Sequence, residues 1–300
     1  MRFFPAMFMS VALWSCNYNH PLNDEVGSDD GAAGLARSVS AEVIEYSPMP
    51  GQFINVTPSC VAGDTPESMA RKATEYLKNG YAISLGAWGG SITLHLDEPI
   101  MHRPSGRDFR ILGNAFYKNM SQASELKYGA SEPGIIMVSA DEDADGQPDC
   151  WYEIAGSEYD KSESPFSVTY KALASGDVSW SASDGSSGII KPNQFHTQPY
   201  FPQWITGGEL TVTGRRLPDN GYMLPSGSFT QRCFDYGYAD NQPNSSDASI
   251  INLEWAVDSE GNSVELPSVC FIKIYTGVFQ ESQELGECST EIIGVEIPAE

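Results

Sequence analysis

The sequence predicts an all-β fold in which antiparallel strands form a sandwich with one N-terminal helix. Short apolar or alternating runs of strand length recur along the chain, separated by clusters of Gly, Pro, Asn and Ser. Only one stretch combines helical apolar spacing with signals for both helix ends. With 300 residues and 41% hydrophobic content, the chain can bury the core of one large domain.

The predicted strands are short and rich in β-branched and aromatic residues. The run from Ser91 to Leu96 is the clearest, because its apolar residues alternate strictly with polar ones, as in a half-buried strand. The others are predicted at Val43–Tyr46, Tyr81–Leu85, Phe109–Leu112, Ile135–Val138, Trp151–Ile154, Ser167–Tyr170, Glu209–Thr213, Ile250–Trp255 and Ser268–Tyr275.

One helix is predicted between Asp64 and Gly80. Oxygen acceptors at Asp64 and Thr65 suit an N-terminal cap, and Pro66 suits the first turn. Gly80 ends the helix. Its apolar stripe is expected to pack against a sheet and consists of Met69, Ala73, Tyr76 and Leu77.

The acidic stretch from Asp141 to Asp149 has the spacing of a calcium-binding loop. Aspartates occupy positions 1, 3, 5 and 9 of an EF-hand-type loop, Gly146 occupies position 6, and position 7 offers a backbone carbonyl. Tyr152 stands where the usual bidentate glutamate would be, so Glu153 or Glu158 is expected to substitute for it. Strands flank the loop, which predicts a structural calcium rather than a sensor; the alternative is a solvated acidic turn. The predicted ligands are Asp141, Asp143, Asp145, Gln147, Asp149 and Glu153.

The N-terminal segment MRFFPAMFMSVALWSC resembles a bacterial lipoprotein signal. An apolar stretch ends in Leu13-Trp14-Ser15-Cys16, which predicts a signal peptide over residues 1–15 and lipidation of Cys16. The alternative is an ordinary signal peptide. Residues 16–42 are predicted to be a flexible tether, and residues 43–300 a single sandwich domain. The stretch is too short to span a bilayer as a helix, so anchoring would depend on acyl chains.

The net charge of −23 makes nucleic acid an improbable partner. The sequence contains no Gly-x-Ser-x-Gly, His-Glu-x-x-His, phosphate-binding glycine-loop or dinucleotide-binding motif, so the protein is predicted not to be an enzyme. A glycosidase-like carboxylate pair stays an alternative, with Glu132 and Asp108 as the first candidates.

Beyond Cys16, an odd number of cysteines leaves disulfide pairing open. They are Cys60, Cys150, Cys233, Cys270 and Cys288.

The segment at about 155–249 is predicted to be a loop-rich elaboration crowded with aromatic residues. Aromatic faces beside amides can bind a sugar ring or a corrin edge, although the same rings can merely pin long loops to the sandwich. Asp235–Asn244 has a similar double interpretation, as a binding surface or as a turn or second cation site built on Asp240, Asn241 and Asn244. The predicted ligand-binding residues are Trp88, Trp180, Phe195, His196, Gln198, Tyr200, Trp204, Tyr236 and Tyr238.

Taken together, several stretches resemble a family of exported "cell surface" lipoproteins of Bacteroidota that is built on a jelly-roll sandwich. They are Pro48–Asn55, Gly86–Gly90, Asp108–Phe116, Ser131–Gly134, Phe195–Gln198, Asp235–Asn241, Trp255–Asp258 and Tyr275–Gly277. The resemblance implies a jelly-roll-like fold and a surface-exposed, lipid-anchored outer-membrane protein.

Proteins of this kind occur with TonB-dependent uptake systems, including those for cobamides such as vitamin B12. The resemblance therefore implies cobamide binding and a TonB-dependent transporter as a partner. A calcium-stabilised glycan-binding protein and an adhesion or scaffold protein are the alternatives, because jelly-roll sandwiches often bind glycans and fold alone does not identify the ligand.

Overall fold

A computed structural model describes residues 36–118, 126–282 and 286–299 of the chain. The predicted signal peptide, Cys16 and most of the predicted tether lie outside these residues. The strands are β1 Arg37–Val39, β2 Ala41–Ser47, β3 Ile83–Ser84, β4 Ser91–Met101, β5 Phe109–Leu112, β6 Phe116–Tyr117, β7 Tyr128–Ala130, β8 Gly134–Ser139, β9 Tyr152–Ile154, β10 Glu163–Ala172, β11 Val178–Ala182, β12 Ser187–Ile190, β13 Glu209–Arg216, β14 Gly221–Met223, β15 Phe229–Arg232, β16 Ile250–Ile251, β17 Ala256–Val257, β18 Ser268–Thr276, β19 Glu281–Ser282, β20 Gly286–Glu287, β21 Glu291–Ile292 and β22 Gly294–Ile297. Three 3-10 turns cover Tyr159–Lys161, Asp247–Ser249 and Leu253–Trp255.

The predicted all-β class is confirmed, and a six-stranded antiparallel sheet forms its centre, in the order β17-β9-β8-β18-β4-β2. The long strands β4 and β18 pair along most of their length. Alternation buries one face completely, with Ile92 and Leu94 of β4 beside Ile272 and Ile274 of β18 in the main core.

The predicted helix is confirmed as α1, Pro66–Lys78. Thr65 is its N-cap and forms a capping box with Ser68, which satisfies backbone donors at the first turn. The helix packs on β2 through Met69, Ala73 and Thr74, and the Thr74 hydroxyl accepts a hydrogen bond of 2.9 Å from the backbone N–H of Val43.

Three four-stranded sheets have the orders β12-β11-β10-β13, β14-β15-β7-β6 and β1-β22-β5-β16. The first carries its own core around Phe166, Val168 and Tyr170, against which Trp88 packs. Much of the segment at 155–249 is therefore regular sheet, where the sequence predicted loops.

Two other differences from the predicted elements have local causes. Strands β1 and β2 begin inside the predicted tether, because Arg37–Val39 pair with Val295–Ile297 near the other end of the chain. The strand predicted over Ile250–Trp255 stops at Ile251, because the Asn252 side chain accepts a hydrogen bond from the Glu254 N–H and caps a 3-10 turn.

The five cysteines among the described residues are all free thiols, and Cys288 is buried. No helix in the described part of the chain is long and apolar enough to cross a membrane.

Candidate functional site

A cleft of about 410 Å³ lies between the central sheet and the edge strand β13. Its floor is formed by Met137 of β8, Glu153 of β9 and Lys273 of β18, and its wall by residues 212–215 of β13. Trp151, next to β9, also lines it. The cleft is therefore assembled from strands of two sheets, and β13 and β18 lie far from the β8–β9 pair in sequence.

The register of the central sheet places the floor residues side by side. Lys273 lies opposite Met137, and Met137 lies opposite Glu153. Because directly opposed residues project from the same face of a sheet, the three side chains form one row across β18, β8 and β9. Tyr275 lies two positions beyond Lys273 on that face and also lines the cleft.

Arg215 joins the wall to the floor. Its Nε lies 2.8 Å from Glu153 Oε1, its Nη1 donates to Ser162 Oγ at 2.7 Å, and its guanidinium lies 4.0 Å from the centre of the Tyr159 ring. Burial raises the pKa of Glu153, and the Arg215 charge opposes that rise. Both side chains are largely buried, so the pair presents fixed donor and acceptor atoms.

Lys273 is held much less tightly than Arg215. Its nearest carboxylate oxygen is Glu45 Oε2, at 3.7 Å, and the two side chains are 31% and 53% exposed. The neighbours of Lys273 across the sheet, Thr93 and Met137, are uncharged.

The loop at Gly86–Gly90 closes one end of the cleft. Trp88 is buried against Phe166, and Gly89 has a positive φ of 83°. A Cβ at Gly89 would lie 2.6 Å from a methyl carbon of Val212, so this close approach to β13 requires glycine.

The predicted calcium loop connects β8 to β9 and so continues directly from the cleft floor. Carboxylate oxygens of Asp141, Asp143 and Asp149 lie within 4.8 Å of one another. Gly146 adopts a positive φ of 78°, as the sharp turn of the loop requires. Three carboxylates this close together form a group that can hold a metal ion.

Two of the predicted carboxylate ligands, Asp145 and Glu153, lie outside this group. Asp145 Oδ1 accepts the Gln147 N–H at 2.8 Å, and the Asp145 N–H donates to Asp141 and Asp143. Glu153 lies in β9 with its carboxylate bound by Arg215, and it therefore belongs to the cleft rather than to the three-carboxylate group.

The predicted aromatic ligand residues are divided among separate parts of the fold. Tyr200, Trp204 and Tyr238 are buried, so their contact with a ligand would require a change of conformation. Trp204 stacks on Tyr46 in the main core, with ring centres 5.8 Å apart. Of the predicted set, only Trp88 lines the cleft.

The more exposed members are also dispersed. Phe195 is 65% exposed, and Tyr236, at 39%, packs against Trp255. His196 contacts the Phe53 ring edge-on, and burial lowers its pKa. Gln198 donates from Nε2 to the Gln52 carbonyl, and Trp180 packs against Phe279.

Sequence reasoning missed Trp151, Arg215 and Lys273 as candidate site residues. Two signals were present. Trp151 follows directly on the acidic loop, and Lys273 is the one charged residue in the otherwise uncharged strand Ser268–Thr276. Nothing local marked Arg215, which acquires its role by facing Glu153 across the two sheets.

A second group of carboxylates is formed by Glu132, Asp240 and Glu291, also within 4.8 Å of one another. Asp240 accepts backbone hydrogen bonds from Asn114, Ala115 and Glu291, and Glu132 accepts one from Ser289. Burial raises the pKa of Glu132 to about 7. These bonds tie distant segments together.

The remaining residues predicted for catalysis or a second cation site also make structural hydrogen bonds. Asp108 is buried and accepts the backbone N–H groups of Arg103 and Leu253. Asn241 and Asn244 bind backbone groups of Phe234 and Gly113, respectively. Each contact closes a turn or joins two segments of the fold.

No family model matches the chain, and the curated proteins include no recognisable relative of it.

Proposed function

We propose that the protein is a noncatalytic binding protein that holds a saccharide-sized nutrient in the cleft between the central sheet and β13. The cleft itself carries the proposal: its volume of about 410 Å³ lies in the lower part of the roughly 300–1,000 Å³ range of small-ligand sites. A cobamide, with its corrin ring and nucleotide arm, is larger than this space.

The chemistry of the lining favours a polyhydroxylated ring. Trp151, which is partly exposed, provides aromatic surface for the apolar face of a sugar. The Glu153–Arg215 pair provides an acceptor and donors in fixed positions, which can bind neighbouring hydroxyl groups. The only carboxylate that lines the cleft in the described residues is the one bound by Arg215, an arrangement that favours binding over acid-base catalysis.

Cobamide binding is the second candidate, and the exposed ring of Phe195 favours it. A broad amphipathic ligand needs an open apolar surface beside amides. Phe195 offers such a surface three residues from the amide of Gln198.

Calcium in the acidic loop would brace the cleft. The loop joins β8 to β9, so a cation at Asp141, Asp143 and Asp149 would hold both ends of the hairpin that carries Met137 and Trp151. Its role in this proposal is structural.

The cellular setting of the proposal follows from the family resemblance. The protein would be lipidated at Cys16, anchored in the outer membrane with its domain at the cell surface, and would pass its ligand to a TonB-dependent transporter. A jelly-roll connection of the strands belongs to the same proposal.

Calorimetry with a panel of mono- and disaccharides, and with cyanocobalamin, tests the two candidates. Trp151→Ala should weaken saccharide binding by about 1–3 kcal/mol, as loss of an aromatic anchor does. Phe195→Ala is the matched control and should leave saccharide binding unchanged. Cyanocobalamin binding that depends on Phe195 and not on Trp151 would replace the saccharide proposal with the cobamide one. If neither the saccharides nor cyanocobalamin bind, both candidate functions are refuted.

A further inference from the structure

The charge of the cleft is opposite to that of the protein as a whole. The chain has 40 acidic residues against 17 Lys and Arg, yet the charged residues that line the cleft are Glu153, Arg215 and Lys273. Since Glu153 and Arg215 neutralise each other at 2.8 Å, the amine of Lys273 sets the sign of the charge in the cleft.

The ammonium group of Lys273 has unused hydrogen-bond donors. An ammonium group carries three N–H donors, and the Lys273 side chain donates no hydrogen bond to any residue that the structure describes. Its ion pair with Glu45 is long, at 3.7 Å, and Glu45 is more than half exposed. Such a pair contributes little stability and is readily exchanged for a better acceptor.

The surroundings of Lys273 limit what that acceptor can be. Lys273 lies in the middle of the central sheet, in one row with Met137 and Glu153, and the partly exposed ring of Trp151 lines the same cleft. A ligand that satisfies these groups together has a ring with an apolar face, hydroxyl groups and one anionic substituent.

We infer that the cleft selects an anionic sugar, a hexose that carries a carboxylate or a sulfate ester, and that Lys273 is the residue that determines this specificity. The inference rests on the proposed function and names its ligand class. Arg215 and Glu153 bind the hydroxyl groups of the sugar, while Lys273 binds its acidic group. The cleft is partly enclosed, so this charge-assisted contact is less screened than a surface ion pair.

Calorimetry of the full chain with matched sugars tests the inference. The panel contains glucuronate, galacturonate and glucose 6-sulfate, with glucose and galactose as neutral parents. An acidic sugar should bind at least about tenfold more tightly than its parent, by the usual strength of a hydrogen bond to a charged group. Its affinity should also fall as salt is raised. Comparing glucuronate and galacturonate with glucose 6-sulfate shows whether the cleft prefers a carboxylate or a sulfate ester.

Lys273→Met removes the charge and keeps the apolar stem of the side chain. This variant should lose about tenfold or more in affinity for the acidic sugar and little for the neutral parent. Lys171→Met is the matched control, because Lys171 also has one distant partner, Glu209 at 3.8 Å, but lies on β10 outside the cleft lining. The control should bind like the unmodified protein.

The outcomes separate the two proposals. Equal binding of acidic and neutral sugars, without salt dependence, would overturn the inference and leave the proposed function intact. This comparison uses the unmodified protein, so it holds even if Lys273→Met fails to fold. Absence of binding by any sugar, charged or neutral, would overturn the inference and the saccharide proposal together.

Discussion

Replacement of the buried Glu287 with glutamine is expected to flatten the pH dependence of stability. Glu287 is only 4% exposed, its Oε1 accepts the Gln52 N–H at 2.6 Å, and its Oε2 is buried without a hydrogen-bond partner among the described residues. Burial raises the pKa of Glu287 from 4.5 to about 8. This rise corresponds to an ionisation cost of about 5 kcal/mol in the folded protein relative to the unfolded chain.

The direction of the effect follows from proton binding. Between pH 4.5 and about 8 the folded state keeps the Glu287 proton while the unfolded chain has released it. The free energy of unfolding therefore falls as pH rises through this window and becomes constant above it. From pH 5 to pH 8 the linkage relation assigns Glu287 a loss of about 3.5 kcal/mol. Glu132, whose pKa is raised to about 7, contributes a further loss that the variant retains.

Denaturant unfolding at pH 5, 6.5 and 8 measures the effect. The free energy of unfolding of Glu287→Gln should exceed that of the unmodified protein by about 1 kcal/mol at pH 5 and by about 4 kcal/mol at pH 8. Glu75→Gln is the control, because the Glu75 side chain is 67% exposed on α1. Parallel pH profiles for Glu287→Gln and the unmodified protein would refute the reasoning, as would a free energy of unfolding that rises from pH 5 to pH 8.

Three further predictions concern calcium, the anchor and the aromatic residues. Relative to chelator, calcium at ten times its Kd should stabilise the protein by about 1.4 kcal/mol and raise the Tm by about 2–4 °C. The double variant Asp143→Ala, Asp145→Ala should have the same Tm in calcium as in chelator. Labelled palmitate should be incorporated into the exported protein and not into Cys16→Ala; equal labelling would exclude this lipidation site. Trp204→Ala should lower the free energy of unfolding by about 3–5 kcal/mol because its ring is buried, and Phe195→Ala should change it by no more than about 0.5 kcal/mol. Similar losses from the two substitutions would contradict their assigned environments.

The sequence alone determined the features that depend on neighbouring residues. The capping residues before α1 and the alternation in residues 91–96 predicted elements that the structure confirms, because their signals lie within one or two turns or one strand. The predicted half-burial of that strand was wrong, since Ser91 and Thr93 are buried as well. The aspartate spacing in residues 141–149 likewise indicated a loop whose carboxylates converge, since chain geometry over nine residues fixes that convergence.

The tertiary structure decided which residues share a surface. The cleft brings Glu153, Arg215 and Lys273 together from three strands, and no local pattern encodes the register that aligns them or the approach of β13. Composition could not tell the buried Trp204 from the exposed Phe195, because an aromatic residue in a loop has the same local sequence signature in either environment. The physical reason is that strand pairing and core packing are long-range interactions, and their outcome depends on the whole chain.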